Sequence, residues 1–259
     1  MENAVGRPIR VLSWNVFNEN PDTARIEACL DETAPDVALL QEATPAHLCA
    51  VRARFANVVV ARDYVLKGAP CFLVIATDLE LSAVSVIEHF PDTKPPPSLL
   101  GRFARWVEFL DTLSAEIRPG SSPRIRLVVA HPSAAVGPGV RRDELEAAGT
   151  HIPAAGPCIF AADFNSFSEP WLAPFLALPL AYRAGDFACR ERRQLDTWFA
   201  ARGFAPAVRG VTFPRWRLQM DQVFLRGLIP SAARILSDTW GSDHRPIVID
   251  LDAGRPDLP

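Results

Sequence analysis

Short apolar runs in this chain stop at carboxylates, amides or imidazoles, and that pattern limits the folds open to it. Asp36-Val-Ala-Leu-Leu-Gln-Glu42 is one such run, and Cys158 to Ala162, followed at once by Asp163-Phe-Asn165, is another. Ile9 to Phe17 carries Asn15 near its end, and Ile125 to His131 ends on an imidazole. Uninterrupted apolar runs of this length read as strands buried on both faces, which need helices or a second sheet to cover them. The helices are there: Thr23 to Glu32 places Ile26 and Leu30 on one face, and Thr44-Pro45 opens another with a cap residue and proline at the first position. Strand, helix, strand, helix predicts an α/β architecture.

The middle of the chain is richer in strands. Ala56 to Ala61, Cys71 to Thr77, Ser82 to His89 and Phe103 to Leu113 have strand character, punctuated by Gly68-Ala-Pro70, Pro91 to Pro97 and Pro119 to Pro123. Short connections predict an antiparallel meander. Val140 to Gly149, Pro170 to Ala177 and Arg193 to Gly203 predict helices, while Met220 to Leu225 and Ala233 to Leu236 predict strands. The last strand follows a polar turn, Gly241-Ser-Asp-His-Arg-Pro246, with Ile247, Ile249 and Leu251 on one face. The 259 residues, 49% hydrophobic, suffice for one large domain. No linker, repeat or low-complexity segment divides them. The expectation is a single domain over 1–259, with a core of about 8–252 and a short tail at 253–259, built from two sheets with helices on their outer faces.

A net charge of −3 means that any nucleic-acid or membrane contact must come from a local patch. The five cysteines have wide, irregular spacing and no CxxC pair, so they are expected to be reduced packing residues in a cytoplasmic protein. The N-terminus lacks a signal-peptide pattern and no stretch approaches the length of a membrane span. His47, His89 and His151 lack motif context and are expected at the surface or in loops. Nothing calls for a partner chain, and a monomer is expected.

The polar groups at strand ends are Asn15, Glu42, His131, Asp163, Asn165, Asp221, Asp243 and His244. Strand ends at one edge of an α/β domain are where ligands bind. This set offers hard oxygen ligands and imidazole without cysteine, which suits Mg²⁺ or Mn²⁺ rather than structural zinc. Carboxylates, amides and imidazoles together fit metal-assisted attack of water on a phosphate ester. Taken singly, each has a plainer use: Asn15 in a turn, Glu42 and Asp163 as helix caps, Asp243 and His244 as surface residues.

Six short motifs in order carry a resemblance. Trp14-Asn-Val, Gln41-Glu42, Ala-His131, Asp163-Phe-Asn165, Asp221-Gln-Val-Phe224 and Ser242-Asp-His244 resemble the endonuclease/exonuclease/phosphatase superfamily of DNase I, abasic-site endonucleases, neutral sphingomyelinases and inositol-polyphosphate 5-phosphatases. The resemblance implies a four-layer α/β/β/α sandwich of two mixed sheets flanked by helices, and a divalent metal, Mg²⁺ or Mn²⁺. It makes Glu42 the main metal ligand, with Asn15 and Asp243 close by. Asp163 would orient or deprotonate the attacking water, Asn165 would hold water or phosphate, and His131 would donate to the phosphate. Asp221 would orient His244 against the scissile phosphate. Whether Asp163 or the Asp221–His244 pair is the base stays open, as does one metal or two. Ala162 stands where the family usually has glycine, Pro132 where leucine is common, and Gln222 where histidine or tyrosine is frequent. None of these departures removes a catalytic group.

For substrate, Arg215-Trp216-Arg217 before the Asp221 strand could form a cation-plus-aromatic wall, or be a buried tryptophan with snorkelling arginines. Abasic-site endonucleases carry a tyrosine three residues before the position of His131; here that residue is Val128. Arg190-Glu-Arg-Arg193 and Arg141-Arg142 are candidate backbone-binding patches, and the loop from Pro91 to Leu100 a candidate lipid-facing lip. The leading expectation is a metal-dependent phosphodiesterase acting on nucleic acid or nucleotides. The runner-up acts on phospholipid head groups or on sugar or inositol phosphates. A non-catalytic binding protein of the same fold is the third.

Overall fold

The computed structural model describes residues 8–88, 98–99, 106–108, 111–120, 122–150, 152–166, 175, 177–188 and 190–252. A seven-stranded sheet contains β1 (Ile9–Asn15), β2 (Val37–Ala43), β3 (Asn57–Leu66), β4 (Ala69–Thr77), β6 (Trp106–Glu108), β12 (Pro230–Ile235) and β13 (Ile247–Leu251), in the order β12-β13-β1-β2-β4-β3-β6. A six-stranded sheet contains β5 (Glu80–Ile87), β7 (Thr112–Arg118), β8 (Ile125–Ala130), β9 (Cys158–Asp163), β10 (Ala205–Pro206) and β11 (Asp221–Arg226), in the order β10-β11-β9-β8-β7-β5. Both sheets are mixed. β1 runs parallel to β2 and β8 parallel to β9, and the other pairs are antiparallel. Each parallel pair needs a crossover, which α1 (Thr23–Thr33) and α3 (Pro138–Gly149) supply. The other helices are α2 (Pro45–Arg54) and α4 (Glu191–Ala200).

Three apolar clusters make the layers. Ile9, Val11, Leu39 and Ile75 of the larger sheet meet Leu113, Leu127, Ile159 and Val223 of the smaller one. Leu12, Trp14, Leu40 and Val74 pack outward on Ile26, Leu30 and Val51 of α1 and α2. Val128, Phe160 and Phe224 pack outward on Leu145, Leu195 and Phe199 of α3 and α4. This is the four-layer α/β/β/α sandwich expected. No helix among the described residues is long and apolar enough to cross a membrane.

Strand alternation carries the inward face to the strand ends. Counting by twos, Ile9 and Val11 lead to Asn15, Leu127 and Val129 to His131, Ile159 and Ala161 to Asp163, and Leu225 and Val223 back to Asp221. The parity that packs the inter-sheet core therefore turns these four polar side chains into the crevice between the sheets. Glu42 breaks the rule. Alternation would place it with Ala38 and Leu40 on the helical face, but β2 is bulged between Leu40 and Ala43, and Glu42 takes a φ of 59° that re-aims its side chain.

Several expectations need correction. Phe103 to Leu113 is not one strand: β6 covers 106–108, and Thr112 begins β7, which runs to Arg118. The strand expected at 56–61 extends to Leu66. Cys49 is exposed, unlike the buried Cys29, Cys71 and Cys158. His47 is buried rather than at the surface. Its Nε2–H donates to the Asn20 carbonyl at 2.8 Å and its Nδ1 accepts from the Thr44 N–H at 3.3 Å, completing the capping box of α2. Cys189, His89, His151, most of the Pro170 to Ala177 helix and most of the Pro91 to Leu100 loop lie outside the described residues.

Candidate active site

The crevice gathers residues from both sheets. Asn15 Nδ2 donates to Glu42 Oε1 and to Asp163 Oδ2, each at 2.9 Å, while its Oδ1 accepts from the Phe17 N–H at 3.0 Å. As oriented, Asn15 offers donors to two carboxylates rather than an oxygen to a cation. Glu42 Oε2 accepts from the Tyr64 hydroxyl at 2.7 Å and from the Asn18 N–H at 3.2 Å.

Two imidazoles flank Asp163, each backed by a carboxylate. His244 Nδ1 lies 2.7 Å from Asp221 Oδ2, and its Nε2 lies 3.6 Å from Asp163 Oδ2. His131 Nδ1 lies 2.9 Å from Asp63 Oδ2, and its Nε2 is 3.8 Å from both Asp163 Oδ2 and Glu42 Oε1. Burial works to lower both imidazole pKa values, but the carboxylates win. Asp221 and Asp163 push His244 up to about 10, and Asp63, Asp163 and Glu42 do the same for His131. The Asn165 amide, which donates to the Pro132 carbonyl at 2.9 Å, also faces His131 Nε2 at 2.9 Å and opposes a proton there. Burial tends to raise Asp163, yet the charges of His244 and His131 hold it below the usual carboxylate range.

The turn before β13 is stitched to β1. Ser242 Oγ donates to the Asn15 carbonyl at 2.7 Å and accepts from the His244 N–H at 2.9 Å, while Trp14 Nε1 donates to the His244 carbonyl at 3.1 Å. Gly241 has a φ of +87°, and a Cβ there would meet Asn20 Oδ1 at 2.7 Å, so only glycine fits. Thr212 Oγ1 accepts from the Asp221 N–H at 3.0 Å, and the Phe213 ring lies 5.0 Å from that of His244.

All eight strand-end residues named from sequence thus lie around one crevice. Asp243 joins it through its Oδ1, 3.7 Å from His244 Nε2, and burial followed by repulsion from Glu42 and Asp163 raises its pKa to about 6. The Arg215-Trp216-Arg217 segment is a short 3-10 turn with all three side chains exposed, so Trp216 is not a core residue. Its ring lies 5.8 Å from Phe213, which bridges it to His244. Arg141 is not available to a ligand: it is buried in a bidentate pair with Glu191 at 2.6 and 3.1 Å.

Asp63 and Tyr64 were missed. The sequence signal was a carboxylate and one of only two tyrosines standing directly after a run of β formers. Val128 is buried in the core under α3, and a tyrosine reaches the crevice from β3 instead.

A divalent cation fits this donor set. Among the described residues, ligand atoms of Glu42, His131 and Asp163 lie within 4.8 Å of one another, as do those of Asp163, Asp221 and His244. Asp221 Oδ1 and Asp243 Oδ1 are buried without a hydrogen-bond partner, and carboxylates so placed favour a positive charge among them.

Two layers of mixed sheet with polar groups gathered at the crevice between them define a phosphoesterase-type fold. The chain matches the model of the Endonuclease/Exonuclease/phosphatase family over residues 12–244, and it belongs to that family. Members are phosphoesterase hydrolases and typically depend on a divalent metal. A UPF0294 protein of Klebsiella pneumoniae (strain 342) is 28% identical over 260 residues, covering 96% of this chain and 84% of that protein. An endonuclease/exonuclease/phosphatase from Beutenbergia cavernae DSM 12333 superposes with a TM-score of 0.72 at 18% identity, over 98% of this chain and 74% of that one. TDP2 of D. rerio, complexed with single strand DNA product, superposes with a TM-score of 0.63 at 16% identity, over 94% of this chain and 98% of that one.

Proposed function

We propose that this protein is a Mg²⁺- or Mn²⁺-dependent phosphodiesterase acting on nucleic acid or nucleotides, with water as the nucleophile. The observation that carries the proposal is the pair of carboxylate-backed imidazoles whose Nε2 atoms stand 3.6 and 3.8 Å from Asp163 Oδ2. Glu42 and Asp243 would hold the cation, with Asn15 beside them. When bound, the cation neutralises charge on the phosphate and favours the ionised form of water. Asp163, ionised and held by the Asn15 amide, accepts the proton of the attacking water. His244 donates from Nε2 to a phosphate oxygen as negative charge grows there, and His131 does so once the phosphate takes the place of the Asn165 amide at its Nε2, while Asp63 and Asp221 hold the rings in place. Asn165 adds a donor beside His131. The water oxygen bonds to phosphorus as the ester P–O bond breaks, the departing oxygen takes a proton from solvent water, and Asp163 afterwards releases its proton to solvent.

The nucleic-acid assignment rests on the exposed Arg215, Trp216 and Arg217 next to His244, a cation-and-aromatic rim suited to phosphate and base. The similar TDP2 fold with its single-strand DNA product agrees with it. The reduced cysteines in the core suit the cytoplasm, where we place the protein.

The test is hydrolysis of plasmid DNA, single-stranded DNA, RNA, bis-p-nitrophenyl phosphate, and lipid and sugar phosphates with Mg²⁺ or Mn²⁺. Metal-dependent nucleic-acid cleavage is expected, abolished in Glu42→Gln and Asp163→Asn and weakened in Arg215→Ala/Arg217→Ala. Hydrolysis confined to lipid or sugar phosphates would replace the substrate assignment. Activity intact in Glu42→Gln and Asp163→Asn would refute the site.

A further inference from the structure

Outside the crevice, α3 and α4 flank an open, shallow groove of about 470 Å³ lined by Arg142, Arg190, Arg193, Gln194, Thr197 and Trp198. Arg190, Arg193 and Thr197 recur at helical spacing along one face of α4, and Arg142 faces them from α3. All three arginines are exposed, in a chain whose net charge is −3. Their charge is largely unneutralised by the described residues. Arg190 and Arg193 make no ion pair with any described residue. Arg142 reaches Asp143 only at 4.0 Å, and Asp143 lies closer to Arg183, at 3.0 Å. The one acidic residue in the first turn of α4, Glu191, is consumed by the buried pair with Arg141. That helix end has no side-chain cap, so its partial positive charge adds to the arginines.

A second, apolar cavity of about 60 Å³ adjoins the groove, sharing Arg142, Gln194 and Trp198 with it. Its walls include Pro132 and Phe164, the chain neighbours of His131 and Asp163, so it lies directly behind the strand ends that carry the site.

We infer that this groove binds the phosphodiester backbone of a single nucleic-acid strand at phosphates away from the one being cleaved. The inference rests on the nucleic-acid reading of the crevice. From Arg190 to Thr197 the helix rises about 10 Å. Over that length Arg190 and Arg193 offer their charge from α4 while Arg142 offers its own from α3. Charge complementarity, together with the nucleic-acid reading of the crevice, favours a strand as the occupant. The guanidinium fork pairs with phosphate oxygens two at a time.

The test is fluorescence anisotropy with a labelled single-stranded oligonucleotide and Mg²⁺, in an Asp163→Asn background that leaves the strand uncleaved. Arg142→Ala/Arg190→Ala/Arg193→Ala is expected to weaken binding at least about tenfold near 0.1 M salt and to flatten the salt slope by about 2. Arg142→Lys/Arg190→Lys/Arg193→Lys should recover only part of the affinity, since it restores the charge and the salt slope without the bidentate fork, and unchanged melting temperatures would show both variants folded. Equal binding by the alanine variant and its parent overturns the groove while leaving the substrate reading standing. Preference of the parent for vesicles of anionic phospholipid over the oligonucleotide overturns it in favour of a membrane. A wild-type protein that neither binds nor cleaves the oligonucleotide removes the substrate reading and the groove with it.

Discussion

Asp63 holds His131 with both carboxylate oxygens, at 2.9 and 3.0 Å from Nδ1. The same carboxylate accepts the Glu42 N–H at 3.1 Å, so one buried side chain sets an imidazole and the backbone of the bulged residue. Asp63→Asn keeps the shape and removes the charge. If His131 donates to the phosphate, kcat is expected to fall about 10²-fold with a much smaller change in KM. Because Asp63 is the largest influence raising the His131 pKa against burial, the alkaline limb of the kcat profile should move to lower pH. A purely structural Asp63 would lower the melting temperature and leave that limb in place.

Glu42 reaches the crevice through a backbone irregularity, with its φ of 59° at the β2 bulge. Titration with Mn²⁺ should raise the melting temperature of the wild type, since metal at a hundredfold over Kd adds about 2.7 kcal/mol to the folded state. Glu42→Gln should abolish most of that rise. Tyr64→Phe, which removes one hydrogen bond to Glu42, should shift the midpoint of the titration and spare its amplitude.

His47 gives stability a pH dependence of known sign. Burial lowers its pKa from the ordinary 6.5, and its Nδ1 must stay bare to accept the Thr44 N–H. A base with a lowered folded pKa binds more protons when unfolded, so its contribution is complete above about 6.5 and is lost as pH falls through the folded value. The urea midpoint of the wild type should therefore drop between pH 7.5 and pH 5 by more than that of His47→Gln. At pH 7.5 the variant should be about 1 kcal/mol less stable from loss of the capping contacts.

The Arg141–Glu191 pair ties α3 to α4 and holds the loop after His131, through Arg141 Nη1 to the Val136 carbonyl at 2.6 Å. Arg141→Met leaves Glu191 buried and uncompensated, and should cost about 3–5 kcal/mol in urea unfolding. Arg141→Met/Glu191→Leu removes both charges and should recover most of that loss.

Much of the site was legible in the chain because alternation is local. A strand that buries every second residue against another sheet delivers its terminal residue to the same crevice, as Asn15, His131, Asp163 and Asp221 show. The layered α/β class followed from the same periods, and the expected opening at Thr44-Pro45 falls at a helix start. What stayed hidden depends on which elements become neighbours. Asp63 meets His131 across 68 positions of chain, and Arg141 meets Glu191 across 50, because β3 brings Asp63 to the residue that follows β8 and α3 brings Arg141 to the start of α4. The neutral tautomer of His47 is set by a backbone carbonyl 27 residues away. The sequence by itself thus determined the secondary structure, the layering and the inventory of polar strand ends, all governed by short-range periodicity. Only the tertiary structure decided which carboxylate backs which imidazole, how Glu42 turns inward and which arginines stay exposed, because those follow from packing, register and a single bulge.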